Sequence, residues 1–185
     1  MSKNKTKFPI LKTLIFASLL TSAASGFAAP DGFSVEAGRG TQSSIAQIGM
    51  QFSSDTLTQL INQPSLRVYW EPSFALIEAR KYQDQPGHSH TLYDMGITPV
   101  VRWQGNSALG WFGEIGIGAN YVSPKYDNAG KIMGTPFQFG DFAGVGYQFN
   151  PQLSVSLKFK HFSNAGIKEP NPAVNFGIVR LAYSF

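Results

Sequence analysis

A histidine and a serine stand two positions apart in the stretch Lys160-His161-Phe162-Ser163-Asn164-Ala165-Gly166-Ile167. A serine hydroxyl is a poor nucleophile until a base within about 2.6–3.2 Å takes its proton. Histidine is the usual base near neutral pH. On an extended strand, residues i and i+2 share a face about 6.6–6.8 Å apart, so an imidazole can lean toward the hydroxyl. The Asn164-Ala165-Gly166 that follows leaves the alternating run and could offer backbone N–H groups to an oxyanion, glycine allowing unusual backbone angles. By spacing alone, His-x-Ser is a weak signal, and its meaning depends on the elements that hold it.

Those elements begin after residue 28. The first 28 residues hold Lys3, Lys5, Lys7 and Lys12, no acidic residue, and the apolar run Leu14 to Leu20. Small residues then lead to Gly26-Phe27-Ala28, the three-part layout of a cleaved export signal over 1–28. The apolar run is shorter than the roughly 20 residues of a spanning helix. Of 15 Lys and Arg against 11 Asp and Glu, four basic residues lie in that segment, so the remainder is formally neutral. That removes the main support for nucleic-acid binding. The absence of cysteine excludes disulfides, thiolate catalysis and Cys-ligated metals.

From residue 29 to 185 the chain repeats runs of about ten residues in which alternate positions are apolar, closed by turn residues. Eight such segments fall near 32–40, 44–52, 65–80, 90–103, 108–121, 136–149, 152–163 and 174–185. The pattern predicts an all-β fold, an eight-stranded antiparallel transmembrane β-barrel, with one parity meeting lipid and the other filling the interior. An even strand count lets the sheet close and leaves no edge. Glu36, Arg102, Glu114, Lys158, Lys160 and Arg180 fall on the polar parity and could pair inside. Trp70, Tyr93, Trp103, Trp111, Tyr121, Tyr147 and Tyr183 stand near strand ends, where interfacial girdles form. A polar interval, Ser53 to Pro64, and a loop, Ser123 to Thr135, separate strands. The alternative is a secreted soluble barrel with its apolar face inward; an aromatic content of 14% and a terminal Phe185 on the apolar parity weigh against it.

With both termini in the periplasm, the seventh strand runs outward. His161 and Ser163 continue its apolar parity, which places both on the lipid side near the outer leaflet. A polar pair there costs free energy, which calls for a functional explanation.

The run His161-Phe162-Ser163-Asn164-Ala165-Gly166-Ile167-Lys168-Glu169-Pro170-Asn171-Pro172, with a last strand closing in Tyr183-Ser184-Phe185, resembles the signature of the lipid A 3-O-deacylase (PagL) family. The close match covers roughly the last 25 residues. The resemblance implies a metal-free and cofactor-free outer-membrane esterase that removes the 3-linked acyl chain of lipid A, in lipopolysaccharide. It makes Ser163 the nucleophile, His161 the general base, and backbone N–H groups near Asn164 and Gly166 the oxyanion hole. In the family a Glu at the start of the last strand orients the histidine. That slot is Asn175 here, which can accept a hydrogen bond but cannot stabilise imidazolium as a carboxylate would. Asp141, which breaks the apolar parity of the sixth strand, and Glu169 are rival third members.

Other signals carry less. His88-Ser89-His90, with Asp84 and Asp94 nearby, reads as a solvated loop rather than a metal site. Gly113, Gly116 and Gly118 read as room for interior side chains, since no helix pattern follows to make a nucleotide loop. Competing functions are a non-enzymatic barrel, adhesin or structural, and another lipid-modifying enzyme such as an acyltransferase. Oligomeric state stays open, a homodimer included.

Overall fold

Strict alternation over some ten residues at a time produces strands whose two faces differ in chemistry, and such strands close on one another. The computed structural model describes residues 29–105 and 107–185; the export signal expected over 1–28 lies outside them. Among the described residues ten strands form: β1 Gly32–Gly40, β2 Ser43–Ser53, β3 Leu66–Ala79, β4 His90–Gln104, β5 Gly110–Ser123, β6 Asp127–Asn128, β7 Lys131–Ile132, β8 Phe137–Gln148, β9 Leu153–Ser163 and β10 Val174–Ser184. Eight close into a barrel in the order β1-β10-β9-β8-β5-β4-β3-β2, while β6 and β7 make a separate small hairpin. Every barrel pairing is antiparallel, and closure runs from Gly32 opposite Ser184 to Gly40 opposite Phe176.

The two faces are inverted relative to a soluble protein. Val35, Ile48, Ile115, Ile117 and Leu157 point outward, Ile117 being 67% exposed, whereas Arg180 inside is only 1% exposed. A soluble barrel would bury the first set and expose the second. An exterior apolar band with every strand edge closed is the arrangement that hydrocarbon tolerates, because no backbone group is left without a partner. Aromatic rings collar the end that carries Ser184. Phe33 lies 5.9 Å from Tyr183, and Trp111 lies 5.4 Å from Tyr147, between ring centroids.

The charged residues of the inward parity do pair. Arg180 reaches Glu71, Glu36 and Glu114, the last at 3.2 Å. Lys158 binds Glu36 at 2.8 Å and Arg102 binds Glu114 at 2.6 Å. The Tyr69 hydroxyl donates to Glu114 Oε1 at 2.7 Å. Three carboxylates thus meet three cations, so a formally neutral network fills the middle of the barrel.

Three features depart from the sequence expectation. The interior is not polar throughout: at the end away from Ser184, Ile45, Ile77, Leu92, Phe162, Phe176 and Ile178 form an apolar plug. This is why the third strand alternates poorly, since Ala75, Ile77 and Ala79 face the plug while Trp70, Phe74 and Leu76 face out. The loop between β5 and β8 contains the β6–β7 hairpin, whose Tyr126 and Met133 cover the plug. The polar interval holds a helix, α1 Asp55–Ile61, which Ser54 caps by accepting from Leu57 N and which Asn62 ends in the left-handed conformation.

Candidate active site

β9 lies between β8 and β10, and its outward residues meet theirs in rows. His161 stands opposite Asp141 on β8 and opposite Asn175 on β10, while Ser163 stands opposite Phe139. His161, Ser163 and Asp141 are half-buried and Asn175 is exposed. His161 Nδ1 lies 2.7 Å from Asn175 Oδ1. An amide oxygen carries no proton, so Nδ1 is the donor, and the lone pair is left on Nε2. Asn175 is therefore the residue brought onto the imidazole. Asp141 shares the row and face of His161 without a hydrogen bond to it. Glu169 lies elsewhere, its Oε2 accepting from Asn171 N at 3.0 Å.

Ser163 ends β9, and the chain turns at once. Asn164 O accepts from Ile167 N at 3.0 Å, and the two central residues, Ala165 (φ 52°) and Gly166 (φ 77°), are both left-handed. That is the pattern of a type I′ turn, which glycine favours at its second central position. Asn164 is fully buried and anchors the turn: its side chain donates to Lys168 O at 2.7 Å and its backbone N–H donates to Asn171 Oδ1 at 2.8 Å. The Asn164 N–H, expected in an oxyanion hole, is thus engaged by Asn171 in this structure. Gly166 N–H donates to no acceptor among the described residues and remains available.

The loop is held from the hairpin side as well. Lys131 Nζ donates to Ala173 O and Gly134 N to Pro170 O, each at 2.6 Å. Sequence reading missed Asn171 and Lys131. Asn171 sat inside the quoted motif, but nothing local distinguishes an asparagine that accepts across seven residues from one that is solvated. His88 and His90 pack on the Tyr82 ring, with centroids 5.6 and 4.5 Å away.

Next to His161 toward the middle of the barrel wall, Phe159, Ala143, Ile115, Val145, Leu157 and Gly113 line an outward-facing apolar depression of about 770 Å³. Gly116 fits the expected role, since a Cβ there would meet Phe142 at 2.7 Å. Gly113 does not: it faces out, and its nearest obstacle to a Cβ is 3.9 Å away. The row thus sets a serine and an imidazole beside an outward-facing apolar depression.

The family model described as lipid A 3-O-deacylase (PagL) matches residues 46–184. A lipid A deacylase PagL of Bordetella bronchiseptica is 40% identical over 105 residues, covering 54% of this chain and 52% of the relative. The chain therefore aligns with about half the length of that relative. The lipid A deacylase PagL of Pseudomonas aeruginosa is 23% identical over 167 residues, covering 89% of this chain and 92% of its own. The crystal structure of the outer membrane enzyme PagL shares the fold, with a TM-score of 0.69 at 20% identity over 83% of this chain and 99% of that one. The family match runs from within β2 to the end of β10 and takes in His161, Ser163 and Asn175, so this chain belongs to the lipid A 3-O-deacylase (PagL) family.

Proposed function

We infer that the protein is an outer-membrane lipid A deacylase that hydrolyses the 3-O ester through Ser163 and His161. The observation that carries this reading is the outward-facing row in which Asn175 holds the His161 ring two residues from Ser163. A nucleophile on the lipid side of a barrel wall serves a substrate that is itself a membrane lipid. Both ends of the barrel sequence meet at one end, with the connections 54–65, 105–109 and 149–152, and the site lies at the other, with the β1–β2 turn and the loops 80–89, 124–136 and 164–173. With the chain ends in the periplasm, the site opens on the outer leaflet.

The chemistry follows from the groups present. His161 Nε2 takes the Ser163 proton as Oγ attacks the acyl carbonyl carbon. The resulting oxyanion is met by the Gly166 N–H. Collapse breaks the bond to the sugar oxygen, which leaves with the proton from the imidazolium. A water, deprotonated by the same Nε2, then attacks the acyl-Ser163 ester and releases the fatty acid. Asn175 keeps Nδ1 protonated and the ring in place. Being neutral, it leaves the imidazolium without a counter-charge, which slows the step relative to a carboxylate in that slot. The apolar depression beside Phe159 takes the acyl chain that leaves.

Lipid A extracted from cells producing the native protein or Ser163→Ala tests the reading. The native protein is expected to yield lipid A lighter by one hydroxyacyl chain, and Ser163→Ala unaltered lipid A at equal barrel abundance. Unaltered lipid A in both would leave the non-enzymatic barrel as the better account.

A further inference from the structure

A second and larger depression, of about 1080 Å³, opens on the other side of β10 from the histidine, with Ala37, Arg39, Ala46, Gly177, Val179 and Tyr93 in its wall. The sheet register ties it to the catalytic row. Asn175 pairs with His161, and two residues further along the same face of β10 Gly177 pairs with Arg39 on β1. With strands about 4.8 Å apart and same-face residues about 6.7 Å apart, the Arg39 backbone lies roughly 12 Å from that of His161. An arginine side chain reaching back across part of that distance leaves room for about one sugar ring.

Arg39 is exposed on the lipid-facing parity and forms no ion pair among the described residues. The acidic residue of its row, Glu78, lines the same depression two strands away without pairing with Arg39, and its Oε2 accepts from Ser44 Oγ at 3.1 Å. A guanidinium without an ion-pair partner on this face costs free energy unless an anion meets it. Gly177 adds an independent observation. A Cβ there would meet nothing within 4 Å and its backbone is not left-handed, so neither crowding nor conformation requires glycine. What the missing side chain does is leave Arg39 unflanked on the side toward Asn175.

We propose that Arg39, over the shelf at Gly177, is a subsite for a phosphate group carried by the same glycolipid whose ester is cut at Ser163. This rests on the deacylase reading above, lipid A being a phosphorylated and acylated glucosamine disaccharide. The planar guanidinium can meet two phosphate oxygens at once, which fixes direction as well as position. Holding the phosphate on one side of β10 sets which ester of the sugar faces Ser163 on the other, a positioning effect that acts on selectivity.

The test uses the full chain carrying Ser163→Ala in neutral detergent micelles, with binding of phosphorylated and of chemically dephosphorylated lipid A measured at equilibrium. The phosphorylated form is expected to bind about tenfold tighter, the size of one charge-assisted hydrogen-bonded contact. Arg39→Gln should erase that ratio and Arg39→Lys should keep part of it, whereas Gly177→Leu should weaken both ligands by filling the shelf. Equal binding of the two ligands, or a ratio unchanged in Arg39→Gln, overturns the proposal. So does loss of the ratio in an anionic detergent, because Arg39 would then be reading any anionic surface. Ester hydrolysis by the native chain is followed in parallel. A phosphate preference without hydrolysis would sink the deacylase reading and leave the subsite standing, and hydrolysis without the preference would do the reverse.

Discussion

In the proposed mechanism, Asn175 is the residue on which the rate turns. Its Oδ1 fixes the His161 tautomer at 2.7 Å but brings no charge. A carboxylate there would stabilise the imidazolium that forms if Ser163 attacks as proposed. Asn175→Glu is therefore expected to raise kcat about tenfold on lipid A in micelles, and Asn175→Ala to lower it by releasing the ring. No gain with Glu would shift the counter-charge role to Asp141, which already stands opposite His161 on the same face. The pair was legible in the sequence through the family resemblance, which sets the histidine's partner at the start of the last strand, while parity added only that residue 175 faces outward and left Asp141 and Glu169 as rivals. The fate of the Asn164 N–H was not. It depends on Asn171 folding back across a turn, a contact with no period to betray it.

At the level of elements, alternation located the eight barrel strands to within one or two residues, since each long strand repeats its two-faced chemistry many times. It failed where a strand is only two residues long. β6 and β7 exist because of contacts made at a distance: buried Asn128 accepts from Lys81 N at 2.8 Å and donates to Gln42 O at 2.9 Å. That one side chain staples the β1–β2 turn, the β3–β4 loop and the hairpin together, and the hairpin in turn holds the active-site loop through Lys131 and Gly134. Removing it strands the Lys81 N–H, at about 1–3 kcal/mol, while Gln42 O still accepts from Arg80 N. Asn128→Ala is expected to lower the unfolding midpoint of the loops, read as faster proteolysis of residues 124–136. The strands should remain protected. Helix α1 was equally hidden, although Ser54-Asp55 and Asn62 are start and stop signals that a search for caps could have found.

Across the whole molecule, the barrel wall separates two chemistries that would destroy each other if exchanged: a dry exterior carrying the site, and an interior held by Arg180 and its three carboxylates. Arg180→Met would leave Glu36, Glu71 and Glu114 facing only Lys158 and Arg102. Breaking such a buried network costs about 3–5 kcal/mol. The expected outcome is a barrel that unfolds at clearly lower urea concentration, followed by the shift between folded and unfolded bands on unheated gels. The rate per folded molecule should change far less, since Arg180 faces away from Ser163.

The most direct measurement puts the purified barrel, native or Ser163→Ala, with lipid A in neutral detergent and follows both products by mass spectrometry. The expected result is one free hydroxy fatty acid for each lipid A molecule that loses its 3-O chain, with neither product formed by an equally folded Ser163→Ala. Continued release of that acid by Ser163→Ala, or none by the native chain, would contradict the assignment of Ser163 as the group that attacks the ester.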